Sequence, residues 1–265
     1  MPELPEVQTV VSGLNEKILN KKIVSLFEQR PGTVQNFFTG NFCEFGYVTA
    51  VKRRGKYIII ETSENIKLVI HLRMTGKLIF DENTNDATHS RAFFTFDDGS
   101  KMIFDDVRTF GKIQIFGIDD EVSSIKKLGV EPLSEEFDFG YLHSKIKKRK
   151  APIKNLLLDQ TIIAGLGNIY VCEVLLRVGV NPTTSGNELS KKKTTEIIKK
   201  IKEVLLKAIE CNGTSISDYR NVDNKTGDFQ KFLQIYGKEK CPVGHSVSRI
   251  KQAGRSTYFC PKCQK

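Results

Sequence analysis

The sequence predicts an α+β chain of several small domains: an N-terminal helix leading into an antiparallel β-sandwich, then a helical region, then a C-terminal metal-binding hairpin. Three observations carry this reading. Val7, Val10, Val11 and Leu14 recur at helical spacing just after Pro5, a residue suited to a first helical turn. Between residues 22 and 116 short apolar runs follow one another closely, among them Lys56–Ile60, Leu68–Leu72, Ala92–Phe96 and Met102–Phe104, the last two flanking an Asp98-Gly99 turn. Runs of this kind suit an antiparallel sandwich, and with no tryptophan present the 17 phenylalanines are expected to fill much of its core. At the other end, Cys260-Pro261-Lys262-Cys263 is a Cys-x2-Cys knuckle, half of a zinc site.

Composition narrows the function class. With 265 residues and a net charge of +10, the chain is large enough for a buried core and favours a polyanionic partner. No run approaches the length of a membrane span, and the acidic, helix-like start does not read as a signal peptide. Cys43, Cys172 and Cys211 stand alone and read as reduced, inert thiols. Cys241, Cys260 and Cys263 crowd the tail and read as metal ligands of a cytoplasmic protein, not as a disulfide framework.

The first residues offer specific chemistry. Removal of Met1 ahead of Pro2 would leave a prolyl secondary amine, and N-terminal amines titrate near 7.7–8.0 against about 10.4 for lysine. Such an amine is nucleophilic at physiological pH, and its attack on an aldehyde or a sugar C1′ gives an iminium electron sink. Glu3 is close enough to move protons at the same centre. A plain helix start explains the same residues, with Glu6 complementing the helix dipole.

Residues 117–140 form an acidic connection with Gly129, Pro132 and Gly140, and a domain boundary is expected at residue 130. The charge then reverses: Lys145, Lys147, Lys148, Arg149, Lys150 and Lys154 lie between His143 and Leu158 with no acidic residue among them. This suits either a solvated helix face or a phosphate-binding surface. Gly165-Leu166-Gly167-Asn168 places bare backbone N–H groups and a cap at a helix start, an anion-binding arrangement. It has neither the third glycine of a dinucleotide fold nor the Lys-Ser/Thr of a P-loop. A helix over 190–210 carries Ile197, Ile201, Leu205, Ala208 and Ile209 on one face, and residues 211–231 read as a polar, mobile loop.

Taken together, MPELPEVQTV, Arg53-Arg54-Gly55-Lys56, His71-Leu72-Arg73-Met74-Thr75-Gly76, Asp105-Asp106-Val107-Arg108-Thr109-Phe110-Gly111, and Leu158-Asp159-Gln160 followed by Gly165-Leu166-Gly167-Asn168-Ile169-Tyr170 resemble the formamidopyrimidine-DNA glycosylase family, which includes the endonuclease VIII-type enzymes. The resemblance spans essentially the whole chain. It implies a catalytic helix and β-sandwich domain over residues 1–130, a helix–two-turn–helix domain over 131–236 and a zinc finger over 237–265, with DNA in the cleft between domains. It implies a bifunctional glycosylase and lyase acting as a monomer on duplex DNA that carries oxidised purines. By the same resemblance Pro2 is the nucleophile, Glu3 handles the sugar proton, and Lys56 and Arg255 contact phosphates and assist β- and δ-elimination. His71, His89, Lys150 and Asn168 become DNA contacts. Met74, Arg108 and Phe110 form the wedge that fills the space of an everted nucleotide, Arg108 and Phe110 lying two apart on one face of an extended segment. Ser217 and Tyr219 fall in the base-recognition loop. The resemblance also admits an endonuclease VIII-type enzyme for oxidised pyrimidines, and the basic composition alone admits a non-catalytic DNA-binding protein.

The tail departs from the family pattern. A second Cys-x2-Cys is expected before the hairpin, yet the chain reads Cys241-Pro242-Val243-Gly244-His245, and counting back from Cys260 puts Val243 where the second cysteine is expected. One structural zinc held by Cys241, His245, Cys260 and Cys263 is the expectation, although His245 lies two positions too far along.

Overall fold

The first apolar stripe folds as α1 (Leu4–Ile18), whose Val7, Val10, Val11, Leu14 and Ile18 are all buried. Among the described residues nine strands follow: β1 (Lys22–Glu28), β2 (Val34–Asn36), β3 (Gly46–Arg54), β4 (Tyr57–Thr62), β5 (Ile66–His71), β6 (Lys77–Asp81), β7 (Ser90–Phe96), β8 (Lys101–Asp105) and β9 (Lys112–Gly117). The helices α2 (Ser123–Lys126), α3 (Phe139–Ile146), α4 (Ile153–Leu158), α5 (Asn168–Val178) and α6 (Lys191–Glu210) come next, and β10 (Ser248–Gln252) and β11 (Arg255–Phe259) form the terminal hairpin. This computed structural model describes all residues except 41–43, 82–88 and 217. Ser217 and Cys43 therefore lie outside the described residues.

The strands run in the order β2-β9-β5-β4-β3-β1-β7-β8-β6. Two antiparallel halves meet where β1 crosses from β7 to β3 at Lys22↔Tyr47 and Ile23↔Gly46. One pairing departs from an all-antiparallel sandwich: β2 joins β9 in parallel. Alternation sends Ile58 and Ile60 of β4, and Ala92, Phe94 and Phe96 of β7, into one core with the apolar face of α1. Asn15 fixes α1 over β3 by donating to the Val51 carbonyl at 2.9 Å. Phenylalanine supplies part of this core through Phe45, Phe80, Phe94, Phe96 and Phe104, while Phe27, Phe37 and Phe110 stay exposed.

The chain divides into two compact units, Met1–Lys126 with Ile209–Gln230, and Lys127–Ala208 with Lys231–Lys265. Residues 209–230 return to the first unit. Tyr219 and Val222 join its core, the Val222 carbonyl accepts the Phe80 N–H at 2.9 Å, and Thr214 is buried. The segment expected as a polar, mobile loop is anchored on both sides.

In the second unit α6 covers the expected helix and buries Ile197, Ile201, Leu205 and Ala208. The basic run is not one helix face. α3 ends at Ile146 and α4 begins at Ile153, which leaves Lys147, Lys148, Arg149 and Lys150 in the connection between them.

Candidate active site and nucleic-acid interface

The start of α1 is a reciprocal capping box: Glu3 caps the Glu6 backbone N–H, and the Glu6 carboxylate accepts the Glu3 N–H at 2.8 Å. Both carboxylates are buried, at 4% and 2% exposure, beside a buried Pro2. Such a position suits carboxylates because the helix dipole favours negative charge there. Glu6 also reaches the returning segment, its Oε1 accepting the Thr214 N–H at 2.7 Å, while the Tyr219 hydroxyl donates to the Glu6 carbonyl at 3.3 Å. Tyr219 thus lies in the core with its hydroxyl engaged, and burial raises its phenol above the usual range, aided by Glu6. It holds the segment that follows Thr214 against α1.

Lys56, the lysine that the resemblance assigns to phosphate contact and β-elimination, is 5% exposed. Gly55 takes the left-handed conformation (φ 56°) that closes the tight β3–β4 turn, and Arg53 braces it by bonding the Gly55 carbonyl at 3.1 Å and Gln8 at 2.9 Å. Lys56 shares its surroundings with the N-terminus. Burial lowers the Met1 amine below its usual range, Glu3 and Glu6 oppose that shift, and Lys56 reinforces it. His71 belongs to the same neighbourhood. Desolvation, with Arg73 and Lys56 nearby, lowers it to about 3, and its neutral Nδ1 accepts the Arg73 N–H at 2.9 Å.

A second cluster gathers four of the expected DNA contacts. Met74 and Phe110 are 39% and 52% exposed, and Arg108 is exposed with its guanidinium 5.0 Å from the centre of the Phe110 ring. The pairing does not come from an extended pleat. Residues 107–109 turn, with Thr109 at a left-handed φ of 62°, and a cation–π contact joins the two side chains. Asp106, fully buried, holds this turn: its carboxylate accepts N–H bonds from Arg108 at 3.3 Å and Gly111 at 2.8 Å, and the Thr75 hydroxyl at 2.5 Å. The half-buried His89 donates its N–H to Asp105 at 3.0 Å, and its carbonyl accepts the Asp106 N–H.

In the second unit Gln160 shapes the loop ahead of α5. Its Oε1 accepts the Gly165 N–H at 2.9 Å and its Nε2 donates to the Leu158 and Leu166 carbonyls. Gly167 caps α5, so Asn168 is the first helical residue, not the cap, and its Nδ2 donates to the Ser256 carbonyl at 2.9 Å. That bond ties the α5 start to the hairpin strand bearing Arg255. Lys154 is wholly buried and donates to Thr257 at 2.7 Å, so it supports the hairpin and offers no phosphate contact, contrary to the reading of the basic run. Lys150 and Arg255 are exposed, Arg255 directly after a tight turn at Ala253 and Gly254 (φ 45° and 75°). Buried Glu173 on α5 accepts backbone N–H groups of Gln234, Ile235 and Tyr236, and Arg177 bonds it as well, which fixes the chain entering the hairpin.

The tail donors converge. Nδ1 or Nε2 of His245 and the Sγ atoms of Cys241, Cys260 and Cys263 lie within 4.8 Å of one another, with Cys241 and Cys263 3.8 Å apart and His245 Nδ1 3.3 Å from Cys263. Thiolates about 2.3 Å from one tetrahedral zinc stand about 3.8 Å apart, so the set fits a structural zinc. Gly244 explains how His245 reaches the site. Its left-handed φ of 85° turns the chain back, with the Cys241 N–H on the His245 carbonyl at 2.9 Å.

Sequence reasoning missed Thr75, Asp106 and Glu173, whose roles are set by partners distant in the chain, and it missed the reciprocal Glu3–Glu6 box, which the three-residue spacing could have shown.

Three family models match in order: the formamidopyrimidine-DNA glycosylase N-terminal domain over residues 1–113, the H2TH domain of the same enzymes over 128–220, and the zinc finger found in FPG and IleRS over 238–265. Formamidopyrimidine-DNA glycosylases of Pelotomaculum thermopropionicum and Lactobacillus helveticus are each 39% identical, covering 100% of this chain and 99% of theirs in the first case, and the same shares in the second. Among solved structures, a complex of the Lactococcus lactis Fpg with DNA containing an abasic site is similar at a TM-score of 0.90 and 37% identity, over 99% of both chains. The MutM (Fpg) protein of Thermus thermophilus matches at 0.90 and 34% identity, over 99% of this chain and 98% of that one. The capped α1 start, the braced loops, the α5 start and the zinc-ready hairpin are therefore the parts of one enzyme type, and the chain belongs to the formamidopyrimidine-DNA glycosylase family.

Proposed function

We propose that this DNA glycosylase of base excision repair removes oxidised purines, such as 8-oxoguanine and formamidopyrimidines, from duplex DNA and then cleaves the strand by β,δ-elimination. The observation that carries the reading is the buried cluster at the start of α1, where Pro2, Glu3 and Glu6 share surroundings with Lys56. With Met1 removed, the Pro2 nitrogen attacks C1′ as the bond to the damaged base breaks. Loss of the amine proton and protonation of the ring oxygen then let the sugar open to an iminium. Glu3 exchanges the proton at the sugar. The desolvation that lowers the Met1 amine would act on a prolyl amine one residue along and raise its neutral, nucleophilic fraction. Lys56 and Arg255 hold phosphates and assist the successive eliminations. Met74, Arg108 and Phe110 occupy the gap left by the everted nucleotide, which offsets a few kcal/mol of lost stacking. His71, His89, Lys150 and Asn168 add DNA contacts, and zinc held by Cys241, His245, Cys260 and Cys263 keeps the hairpin in shape.

The enzyme acts as a cytoplasmic monomer on this reading. Among the described residues no helix is long and apolar enough to cross a membrane. Incision of duplexes carrying 8-oxoguanine against duplexes carrying thymine glycol tests the substrate class. Faster processing of 8-oxoguanine is expected, and a preference for thymine glycol would assign the chain to the endonuclease VIII type.

A further inference from the structure

Asp106 is the meeting point of three segments of the first unit. Its carboxylate accepts the Thr75 hydroxyl from the loop that bears Met74, and it accepts the Arg108 and Gly111 N–H groups from the turn that bears Arg108 and Phe110. The Thr75 oxygen also accepts the Arg108 N–H at 3.0 Å, so hydroxyl, carboxylate and amide close a triangle between the two loops. Through its backbone Asp106 binds the His89 carbonyl and accepts the Arg91 Nε–H at 2.7 Å. Both loops hold a non-glycine residue in the left-handed region, Arg73 at φ 55° and Thr109 at 62°, conformations that persist where surrounding bonds fix them. Asp106 and Thr75 are 0% and 7% exposed, whereas the three side chains they support are exposed.

We propose that Asp106 and Thr75 are the positioning residues of the wedge: they lock two loops 31 positions apart into one rigid unit, so that Met74, Arg108 and Phe110 enter the duplex together. This rests on the reading of those three side chains as the wedge. A wedge on two independent loops would have to order them on DNA, and that cost would fall on base eversion. A preformed one carries the cost in folding. Asp106 itself touches neither DNA nor sugar; it acts through the loops it joins.

The test compares single-turnover excision of 8-oxoguanine from duplex with strand cleavage at a preformed abasic site, and follows eversion through 2-aminopurine placed beside the lesion. Thr75→Val removes the hydroxyl at nearly constant shape. It should slow excision and the 2-aminopurine signal by roughly tenfold, the scale of one lost hydrogen bond, and slow abasic-site cleavage much less. Thr75→Ser, which keeps the hydroxyl, should restore both. Asp106→Asn should act in the same direction, and if it fails to fold the Thr75 pair carries the test. Met74→Ala run in parallel separates the two ideas. A loss selective for 8-oxoguanine excision in Met74→Ala, with none or an equal loss on both substrates in Thr75→Val, would overturn the brace and leave the wedge standing. No selective loss in Met74→Ala would overturn the wedge reading, and the brace with it.

Discussion

His71 shows how a single residue records the chemistry around it. Desolvation first, then Arg73 and Lys56, hold its imidazole near 3, against about 6.5 in an unfolded chain. Between those two values the unfolded chain binds the extra proton, so stability rises with pH across that window. The contribution is complete above about 6.5 and is lost as the pH falls towards 3. Urea unfolding at about pH 7.5 and about pH 5, on either side of the unfolded value, should therefore show the parent protein losing more stability on acidification than His71→Gln does. Identical losses in the two proteins would mean that His71 protonates freely in the folded state. Pro2, Glu3, Lys56, Met74, Arg108 and Phe110 could be singled out because each sits in a short local motif. The burial of Lys56 was not legible, since it depends on a β3–β4 turn packed against α1. Nor was the Thr75–Asp106 bond, which joins loops separated by three strands of sequence.

Among the elements, the terminal hairpin shows most clearly what spacing leaves undecided. Cys-x3-His supplied the right atoms at the wrong interval, and the left-handed Gly244 corrects the interval by reversing the chain before His245. His245→Ala should lower zinc affinity by more than the roughly 10–100-fold typical of outer-shell partners of metal ligands, with DNA binding falling in step. The α1 helix and its sheet lie in the other unit and should keep their melting behaviour. Zinc released to a chromogenic chelator measures this, and full occupancy in the variant would remove His245 from the site. The hairpin is held by more than metal: Lys154 on Thr257, Asn168 on Ser256 and Glu173 on residues 234–236 attach it to α4 and α5. Lysine in a basic run gave no sign of that inward role.

For the whole molecule, the charge of +10 has to be located before it explains binding. Lys150 and Arg255 are exposed, Lys154 is not, and Arg149 lies 3.7 Å from Asp159. Replacing Lys150 or Arg255 by alanine should lower the log–log salt slope of DNA binding by about 0.9 for each phosphate no longer neutralised, without changing lesion preference. A slope that stays at the parent value would assign those side chains to solvent. Element order was readable because the apolar spacing changes along the chain from strand runs to helical stripes. The return of residues 209–230 was not, because it rests on Glu6 and Thr214, 208 positions apart.

On the proposed reading the residues leading into α1 are the chemical centre and the attacking atom is the Pro2 nitrogen. Borohydride added during reaction with an 8-oxoguanine duplex reduces an iminium to a stable amine and fixes protein to DNA. Proteolysis and peptide sequencing then locate the bond. One adduct is expected, on Pro2, in protein whose Met1 has been removed, weakened in Pro2→Gly and absent where Met1 is retained. An adduct carried by Lys56, or trapping undiminished with Met1 in place, would contradict it.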